Sequence, residues 1–277
     1  MSKAVVSPRF KDDGTMPIHP VAMTPEEWKA LFVEKGERSF RALQTFRWIH
    51  LRAVMDATEM TDLPLGLRQK LTDAGLGPVA EVANEHIAPD TTKKLLLRLR
   101  DNSTIETVLI PMIAGAPVLQ EDAVDEDLAV AMDNEESEPE EDDDDEDATK
   151  TRVTQCISTQ VGCAMKCAFC ASGVNGLTRH LYPEEIVAQA LMGRRLLSPN
   201  QALRNIVIMG MGEPLHNYDA TARAIRLLSN REGFRMSLRR ITLSTVGIVP
   251  AIAQLGRDFE GKIGLAVSLH AADDATR

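Results

Sequence analysis

Three of the four cysteines in the chain lie within eight residues, at Cys163, Cys167 and Cys170. Thiolates bind soft metals. We expect a loop around a compact metal centre at these positions rather than a helix. Loops of this kind hold iron–sulfur clusters, whereas structural zinc usually takes two separated pairs of ligands, and the sequence has no second pair. The pattern favours a four-iron cluster with three protein ligands and one iron open to a small molecule.

The composition is that of an ordinary globular protein. The 277 residues can bury a large core in one or two domains, and 44% of them are apolar. The first 20 residues lack the apolar core of a signal peptide, and no apolar run reaches membrane-spanning length. We therefore expect a cytoplasmic protein with no membrane partner, where a reducing environment favours metal or redox use of the cysteines over disulfides.

The net charge of −10 comes from one acidic tract. Residues 121–147 hold 17 Asp or Glu and no Lys or Arg, which leaves 24 acidic residues against 31 Lys and Arg in the rest of the chain. Such a tract repels itself and buries too little apolar area to fold, so residues 120–150 are predicted to be a disordered insertion. It would act as a solvated spacer, a nucleic-acid mimic or a contact for a basic partner. The basic remainder suits a polyanion such as RNA, although mild positive charge also serves solubility.

The elements that must position the cysteines begin after a flexible arm at residues 1–20. Thr24, Pro25 and Glu27 form a helix start with a capping box, and a helical apolar pattern follows. Residues 21–90 are therefore predicted to be a small accessory domain of about three helices. Its aromatic residues would either stack on RNA bases or form the core, and their spacing favours the core: Phe40, Phe46 and Trp48.

A β-hairpin is predicted next, from strands at 93–100 and 104–110 separated by Asp101, Asn102 and Ser103. Residues 91–119 would join the helical domain to the rest of the chain. Glu106 lies inside the second strand. From the pattern alone it is a solvent-facing strand residue.

From residue 151 onward, strands alternate with helices. Strands are predicted at 153–160, 205–209, 240–244 and 263–268, with helices at 183–197, 219–228 and 249–255. This alternation predicts a parallel sheet, and ligands collect at the carboxyl ends of its strands. The cysteines and three polar segments fall at those ends: 210–214, 244–247 and 268–270. The chain stops just after the fourth strand, so an uncovered sheet edge is expected there.

Six segments recur in one order in a known family. They are Gln44 to Trp48, IETVLIP (105–111), QCISTQVGC (155–163), MGMGEPL (209–215), RITLST (240–245) and SLHA (268–271). With them the chain resembles the RlmN family of radical S-adenosylmethionine enzymes, adenine-C2 methyltransferases that act on 23S ribosomal RNA and tRNA. The resemblance implies an α/β fold: a partial (β/α) radical SAM barrel with four of six strands at 151–277, preceded by the helical domain and the hairpin.

The resemblance also implies where the cofactors bind. Cys163, Cys167 and Cys170 would ligate a [4Fe-4S] cluster, whose fourth iron binds the amino and carboxylate groups of S-adenosyl-L-methionine. Further residues would contact the methionine part of this cofactor or line its pocket: Gly212, Glu213, Ser244, Ser268, Leu269 and His270. Taken alone, the glycine motif predicts only a tight turn, and a lone His at a strand end is more often structural.

Two further roles follow from the resemblance. Glu106 matches the base that removes the C2 proton, and Cys156 matches the cysteine that releases the protein–RNA adduct through a disulfide. Without the resemblance, Cys156 is predicted to be a small buried residue. In the family a cysteine near the C-terminus carries the methyl group, and no cysteine follows Cys170 here. We therefore expect a fragment whose last two strands and methyl-carrying cysteine lie beyond Arg277; a defective protein or a second chain that supplies the missing part are the alternatives.

The implied partners are 23S rRNA, tRNA and a reductase or flavodoxin-type electron donor, with a monomeric chain and RNA contacts in the helical domain. Three other functions stay open. The C8-methylating antibiotic-resistance branch shares the same motifs. A non-catalytic iron–sulfur or RNA-binding protein would bind the cluster without cleaving the cofactor. A structural zinc module would bind zinc in place of iron.

Overall fold

The computed structural model describes residues 18–112, 149–269, 271, 273, 275 and 276. Most of the predicted arm, most of the predicted acidic insertion and His270 lie outside these residues. The helices are α1 Pro25–Glu34, α2 Phe40–His50, α3 Leu65–Asp73, α4 Pro183–Arg195, α5 Tyr218–Leu228 and α6 Val249–Asp258. The strands are β1 Ala80–Ile87, β2 Lys93–Leu99, β3 Thr104–Pro111, β4 Thr151–Cys156, β5 Gln160–Gly162, β6 Leu177–His180, β7 Gln201–Ile208, β8 Ile241–Thr245 and β9 Gly264–Val267.

The first three helices form the predicted helical region. The capping box starts α1: Thr24 Oγ1 accepts a hydrogen bond from the Glu27 amide at 3.3 Å, and Glu27 Oε2 accepts one from the Thr24 amide at 2.8 Å. Phe46 and Trp48 are buried in the core, which confirms their predicted role. Phe40 differs, because 57% of its surface is exposed.

One part of the predicted helical domain is a strand. β1 lies within residues 21–90 but pairs antiparallel with β2, so the helices end at Asp73. The prediction missed β1 because its mostly exposed residues carry no clear apolar alternation, and pairing with a neighbouring strand decides its conformation. The hairpin of β2 and β3 is confirmed by their antiparallel register.

One seven-stranded sheet joins all the long strands in the order β1-β2-β3-β4-β7-β8-β9. The strands from β1 to β4 pair antiparallel, and β4, β7, β8 and β9 are parallel. The four parallel strands and their connecting helices α4, α5 and α6 confirm the predicted α/β fold with a partial barrel. The first parallel strand was predicted to reach residue 160, but it ends at Cys156, and β5 then pairs with β6 in a separate two-stranded sheet.

The two faces of the large sheet differ. One face of β3, β4, β7 and β8 carries the buried residues Ile105, Leu109, Val153, Ile206 and Leu243. The other face is half-buried. Among the described residues β9 pairs only with β8, and Leu265 and Val267 on β9 are exposed. No helix in the described part of the chain is both long enough and apolar enough to cross a membrane.

Candidate functional site

The half-buried face of the sheet gathers four of the predicted site residues. Val108 on β3 pairs with Cys156 on β4, and Glu106 lies two residues before Val108, so Glu106 and Cys156 point to the same side. The register continues through β7 to β8 and β9, which places Ser244 and Ser268 on this side too. The hydroxyl oxygens of Ser244 and Ser268 are 3.4 Å apart. Strand pairing thus brings together residues that are far apart in the sequence.

The cysteine loop, residues 163–176, connects β5 to β6 through tight turns. The Cys163 amide donates to the carbonyl of Gly176 at 3.1 Å, and the Cys170 amide donates to the carbonyl of Cys167 at 3.0 Å. A Cβ atom on Gly173 would lie 3.0 Å from the Cα atom of Lys166, so the loop packs closely against its own backbone at this position. The segment forms neither an α-helix nor a strand, which agrees with the loop expected at these positions.

The donor set of this loop fits an iron–sulfur cluster. Burial raises the pKa of the Cys163 thiol, and the nearby groups of Cys167, Cys170 and Glu213 raise it further. A backbone hydrogen bond from Met165 opposes this shift, and such hydrogen bonds to sulfur also tune iron–sulfur clusters. Within 18–112, 149–269 and the four isolated described positions, no three His, Cys, Asp or Glu side chains form a ready-made site for one metal ion. The loop supplies three free thiols, the donor type that iron–sulfur clusters take.

The glycine loop, residues 210–214, follows β7 and packs against the chain between β4 and β5. A Cβ atom on Gly210 would lie 2.6 Å from Ser158 Oγ, and one on Gly212 would lie 2.7 Å from the Cβ atom of Gln160. Gly212 also has a φ of +109°, a conformation that L side chains rarely adopt. The sequence prediction of a tight turn is confirmed, and close packing explains why the two positions must be glycine.

Glu213 fixes the glycine loop by hydrogen bonds to β5 and to the end of β8. Only 3% of its surface is exposed. Its carboxylate accepts hydrogen bonds from Thr245 Oγ1 at 2.8 Å and from the Val246 amide at 2.9 Å, and its own amide donates to Gln160 Oε1 at 3.0 Å. The carboxylate therefore ties the loop after β7 to the loop after β8. The amide ties the same loop to β5, which leads into the cysteine loop.

A buried serine links the glycine loop to the strand of Glu106. Ser158 Oγ accepts from the Met211 amide at 2.9 Å and donates to the backbone carbonyl of Glu106 at 2.6 Å. The Gln189 side chain on α4 bonds both the amide and the carbonyl of Ser158, at 2.8 and 2.9 Å. This connection holds the backbone of β3 at a fixed position beside the glycine loop.

Sequence reasoning missed Ser158, Gln155 and Gln160 as individual site-shaping residues. All three are fully buried. The signal in the sequence was their place inside the segment 155–163, where these three polar side chains stand within six residues. Polar side chains that become buried are hydrogen-bonded. Which partners they meet depends on distant elements, such as Gln189 on α4 and Thr107 on β3.

Glu106 and Cys156 differ in environment. An Nζ atom of Lys94 lies 3.1 Å from Glu106 Oε1, and the Glu106 side chain is 44% exposed. The solvent-facing placement predicted for Glu106 is thus compatible with its position on the site face. Burial raises the pKa of the Cys156 thiol, although a backbone hydrogen bond with Met209 works in the opposite direction. Leu269 is exposed at the end of the sheet, and His270 lies outside the described residues.

The fold and the cysteine loop together define a class of protein. Residues 157–277 match the family model for the radical SAM superfamily, and residues 21–75 match that for the ribosomal RNA large subunit methyltransferase N-terminal domain. A solved structure of a radical SAM methyltransferase from Sphaerobacter thermophilus superposes with a TM-score of 0.76 at 35% identity, covering 94% of this chain and 65% of that one. Proteins of the radical SAM superfamily use a [4Fe-4S] cluster and S-adenosylmethionine.

Relatives with named activities indicate the family within the radical SAM superfamily. The chain is 58% identical over 261 residues to the dual-specificity RNA methyltransferase RlmN of Sorangium cellulosum, covering 94% of this chain and 66% of that protein. It is 39% identical over 276 residues to a probable dual-specificity RNA methyltransferase RlmN of Heliobacterium modesticaldum, covering 98% and 63%. The chain belongs to the RlmN family, and it spans just under two thirds of the length of these relatives.

Proposed function

We propose that this chain carries the cofactor-binding part of a radical SAM methyltransferase that forms 2-methyladenosine in 23S rRNA and tRNA. The observation that carries the proposal is the shared sheet face: Glu106, Cys156, Ser244 and Ser268 lie on one side of the sheet. The relatives named as dual-specificity RNA methyltransferases support it. They do not favour the C8-methylating alternative.

The three cysteines are the proposed cluster ligands. Cys163, Cys167 and Cys170 would hold the [4Fe-4S] cluster, since they supply three thiols within eight residues on a loop held by backbone hydrogen bonds. When bound, the cluster and S-adenosylmethionine supply the radical chemistry that adenine C2 requires, because this carbon is not nucleophilic. Enclosure at the end of the sheet would keep water away from that chemistry.

The glycine loop is the proposed binding site for the methionine part of S-adenosylmethionine. Gly212 and Glu213 would contact it, because hydrogen bonds to Gln160 and Thr245 hold the backbone there in one position. With its carboxylate bonded to the loop after β8, Glu213 would act chiefly by fixing the loop. The remaining pocket would be lined by Ser244, Ser268, Leu269 and His270.

Glu106 and Cys156 are the proposed reacting side chains. Glu106 would accept the C2 proton, which requires its carboxylate to reach within hydrogen-bond distance of that carbon. Cys156 would release the protein–RNA adduct: its sulfur, as the thiolate, would bond to the sulfur of the methyl-carrying cysteine while the bond from that sulfur to the methylene carbon breaks. The carbon would keep the electron pair and take a proton to become the methyl group on C2. The raised pKa of Cys156 keeps its thiol protonated near neutral pH until that step.

The surroundings of the site complete the proposal. We propose that the helical domain contacts RNA, that residues 91–119 join it to the core at 151–277, and that the acidic insertion at 120–150 is a spacer. The excess of basic residues outside that insertion supports an RNA partner. A monomeric cytoplasmic enzyme with a reductase or flavodoxin-type electron donor is the corresponding biological setting.

Anaerobic reconstitution of the chain tests the cofactor part of this proposal. We expect iron, sulfide and the broad visible absorption of thiolate-bound iron–sulfur clusters, with reductive cleavage of S-adenosylmethionine to 5′-deoxyadenosine and methionine. Iron without cofactor cleavage would support a non-catalytic iron–sulfur protein. Bound zinc with no visible absorption would support a structural zinc module.

The RNA product tests the reaction. A host strain lacking the gene and carrying the full-length polypeptide should contain 2-methyladenosine in 23S rRNA and tRNA, measured by mass spectrometry of nucleosides. The strain without the gene should lack it. Appearance of 8-methyladenosine in its place would assign the protein to the C8 branch.

A further inference from the structure

Lys94 is the described side chain that makes an ion pair with the proposed base. Its Nζ atom lies 3.1 Å from Glu106 Oε1. In the sheet register Lys94 on β2 faces Val108 on β3, and Val108 faces Cys156 on β4. The three residues form one row across three strands, and Glu106 is the diagonal neighbour of Lys94 on the same face. The ammonium group therefore lies beside Glu106, on the face of the sheet that also carries Cys156.

Stability alone gives little reason for this ion pair. The side chains of Lys94 and Glu106 are 50% and 44% exposed, and ion pairs at that exposure contribute little to folding. A comparable pair exists four residues along β2, where Arg98 NH1 lies 2.8 Å from Glu81 Oε1 at the edge of the sheet. The two pairs resemble each other in exposure and in linking neighbouring strands. They differ in that only Glu106 lies on the part of the sheet that holds Cys156.

The backbone of Glu106 is already fixed from the opposite side. Ser158 Oγ donates to its carbonyl at 2.6 Å, which locks the strand against the glycine loop. The carboxylate lies at the end of a flexible side chain, and among residues that the structure describes Lys94 alone forms an ion pair with it. A lysine ammonium has three donors and no acceptor, so it can hold one carboxylate oxygen while the other stays free.

We propose that Lys94 is a positioning residue for Glu106: it holds one carboxylate oxygen so that the other faces the reacting base. The inference rests on the proposed function, in which Glu106 accepts the C2 proton. A reacting group misplaced by about 1 Å can cost about a hundredfold in rate, so a weak ion pair can matter greatly for catalysis. Lys94 touches neither substrate nor cofactor in this assignment.

The test uses the full-length, cluster-loaded polypeptide that contains this chain and the methyl-carrying cysteine. Steady-state methylation of an RNA substrate is measured for Lys94→Met, Lys94→Arg, Glu106→Gln and the double variant. Arg98→Met is the matched control, because it removes the comparable cross-strand pair on β2. Thermal unfolding and 5′-deoxyadenosine formation are measured for every variant.

We expect Lys94→Met to lower kcat about tenfold to a hundredfold with KM for RNA unchanged. Lys94→Arg restores most of kcat, since a guanidinium also holds a carboxylate oxygen. Adding Lys94→Met to Glu106→Gln causes less than a twofold further loss, because no carboxylate remains to be positioned. Arg98→Met, cofactor cleavage and the unfolding temperature stay at the unmodified values.

Three results would overturn the inference. Lys94→Met with unchanged kcat, or with a raised KM alone, would make Lys94 a bystander or a phosphate contact. Losses that multiply in the double variant would show that the two residues act independently. If Glu106→Gln itself keeps full kcat, the base assignment under the proposed function fails first; if Glu106→Gln is impaired while Lys94→Met is not, only the positioning role fails.

Discussion

The cysteine loop and the half-buried face of the sheet both bring proposed site residues together, but they do so in opposite ways. The loop collects its three thiols from positions that are adjacent in the sequence, and short-range turns and Gly173 hold them. The sheet collects Glu106 and Cys156 from two strands separated by 39 intervening residues, 112–150, and only strand pairing joins them. The proposed cluster ligands are therefore brought together locally, whereas the arrangement of the proposed reacting pair is a property of the sheet.

The glycine loop lies between the two regions and connects them. Glu213 and Gln160 join it to the strand before the cysteines, and Ser158 joins it to the strand of Glu106. We call the glycine loop and its hydrogen bonds to Ser158 and Gln160 the junction. Changes in the junction should disturb both the cysteine loop and the sheet face of Glu106, while changes within one of these two regions should leave the other intact. Four substitutions test that separation.

The largest effect is expected for Cys167→Ala. Removing one of three thiolates should abolish stable cluster binding, since the loop offers no replacement soft ligand at that position. Iron content and visible absorption after anaerobic reconstitution measure the loss. Cys156→Ala is the control and should keep full iron, because Cys156 belongs to the sheet. Full iron and cofactor cleavage in Cys167→Ala would refute the assigned ligand set.

Glu106→Gln should have the next largest effect, on the RNA reaction alone. Loss of a general base typically lowers the rate about 10²–10⁴-fold. Methylation of RNA measures it, and iron content and 5′-deoxyadenosine formation should stay unchanged. Glu81→Gln, a strand carboxylate of the same sheet away from Cys156, should keep full methylation. Loss of iron in Glu106→Gln would mean that the two regions are not separable.

Gly212→Ala should destabilise the junction. The added Cβ atom would lie 2.7 Å from Gln160 Cβ, at a φ of +109° that alanine rarely adopts. A cost of about 1–3 kcal/mol is expected in the free energy of unfolding from strained backbone alone. Chemical denaturation of the metal-free chain measures it. Gly256→Ala in α6 meets nothing within 4 Å and should be neutral or slightly stabilising.

Ser158→Ala should have a smaller effect of similar kind. It removes one donor and one acceptor from a fully buried position and leaves the Met211 amide and the Glu106 carbonyl without that partner, which costs about 1–2 kcal/mol. Denaturation again measures the change, and Ser198→Ala at an exposed position is the control. A neutral Ser158→Ala would show that the junction does not depend on this hydroxyl.

Much of the fold followed from the sequence because its signals are local. The capping box at Thr24 started a helix as predicted, and β2 and β3 formed the predicted hairpin. The alternation of strands and helices after residue 151 correctly predicted four parallel strands. β1 escaped prediction because its mostly exposed residues show no distinctive periodicity. The first parallel strand ended earlier than predicted because the chain turns after Cys156 into the separate β5–β6 pair.

The sequence by itself determined the proposed ligand chemistry, because three cysteines lie within eight residues and their spacing is a local property. The tertiary structure decided why positions 210 and 212 must be glycine, through their close contacts with Ser158 and Gln160. Only the tertiary structure decided the neighbours of Glu106: Lys94 on β2, Ser158 after β4 and Cys156 on β4. Register and face are set when distant strands pair, and a shift of one residue would turn every side chain to the other side.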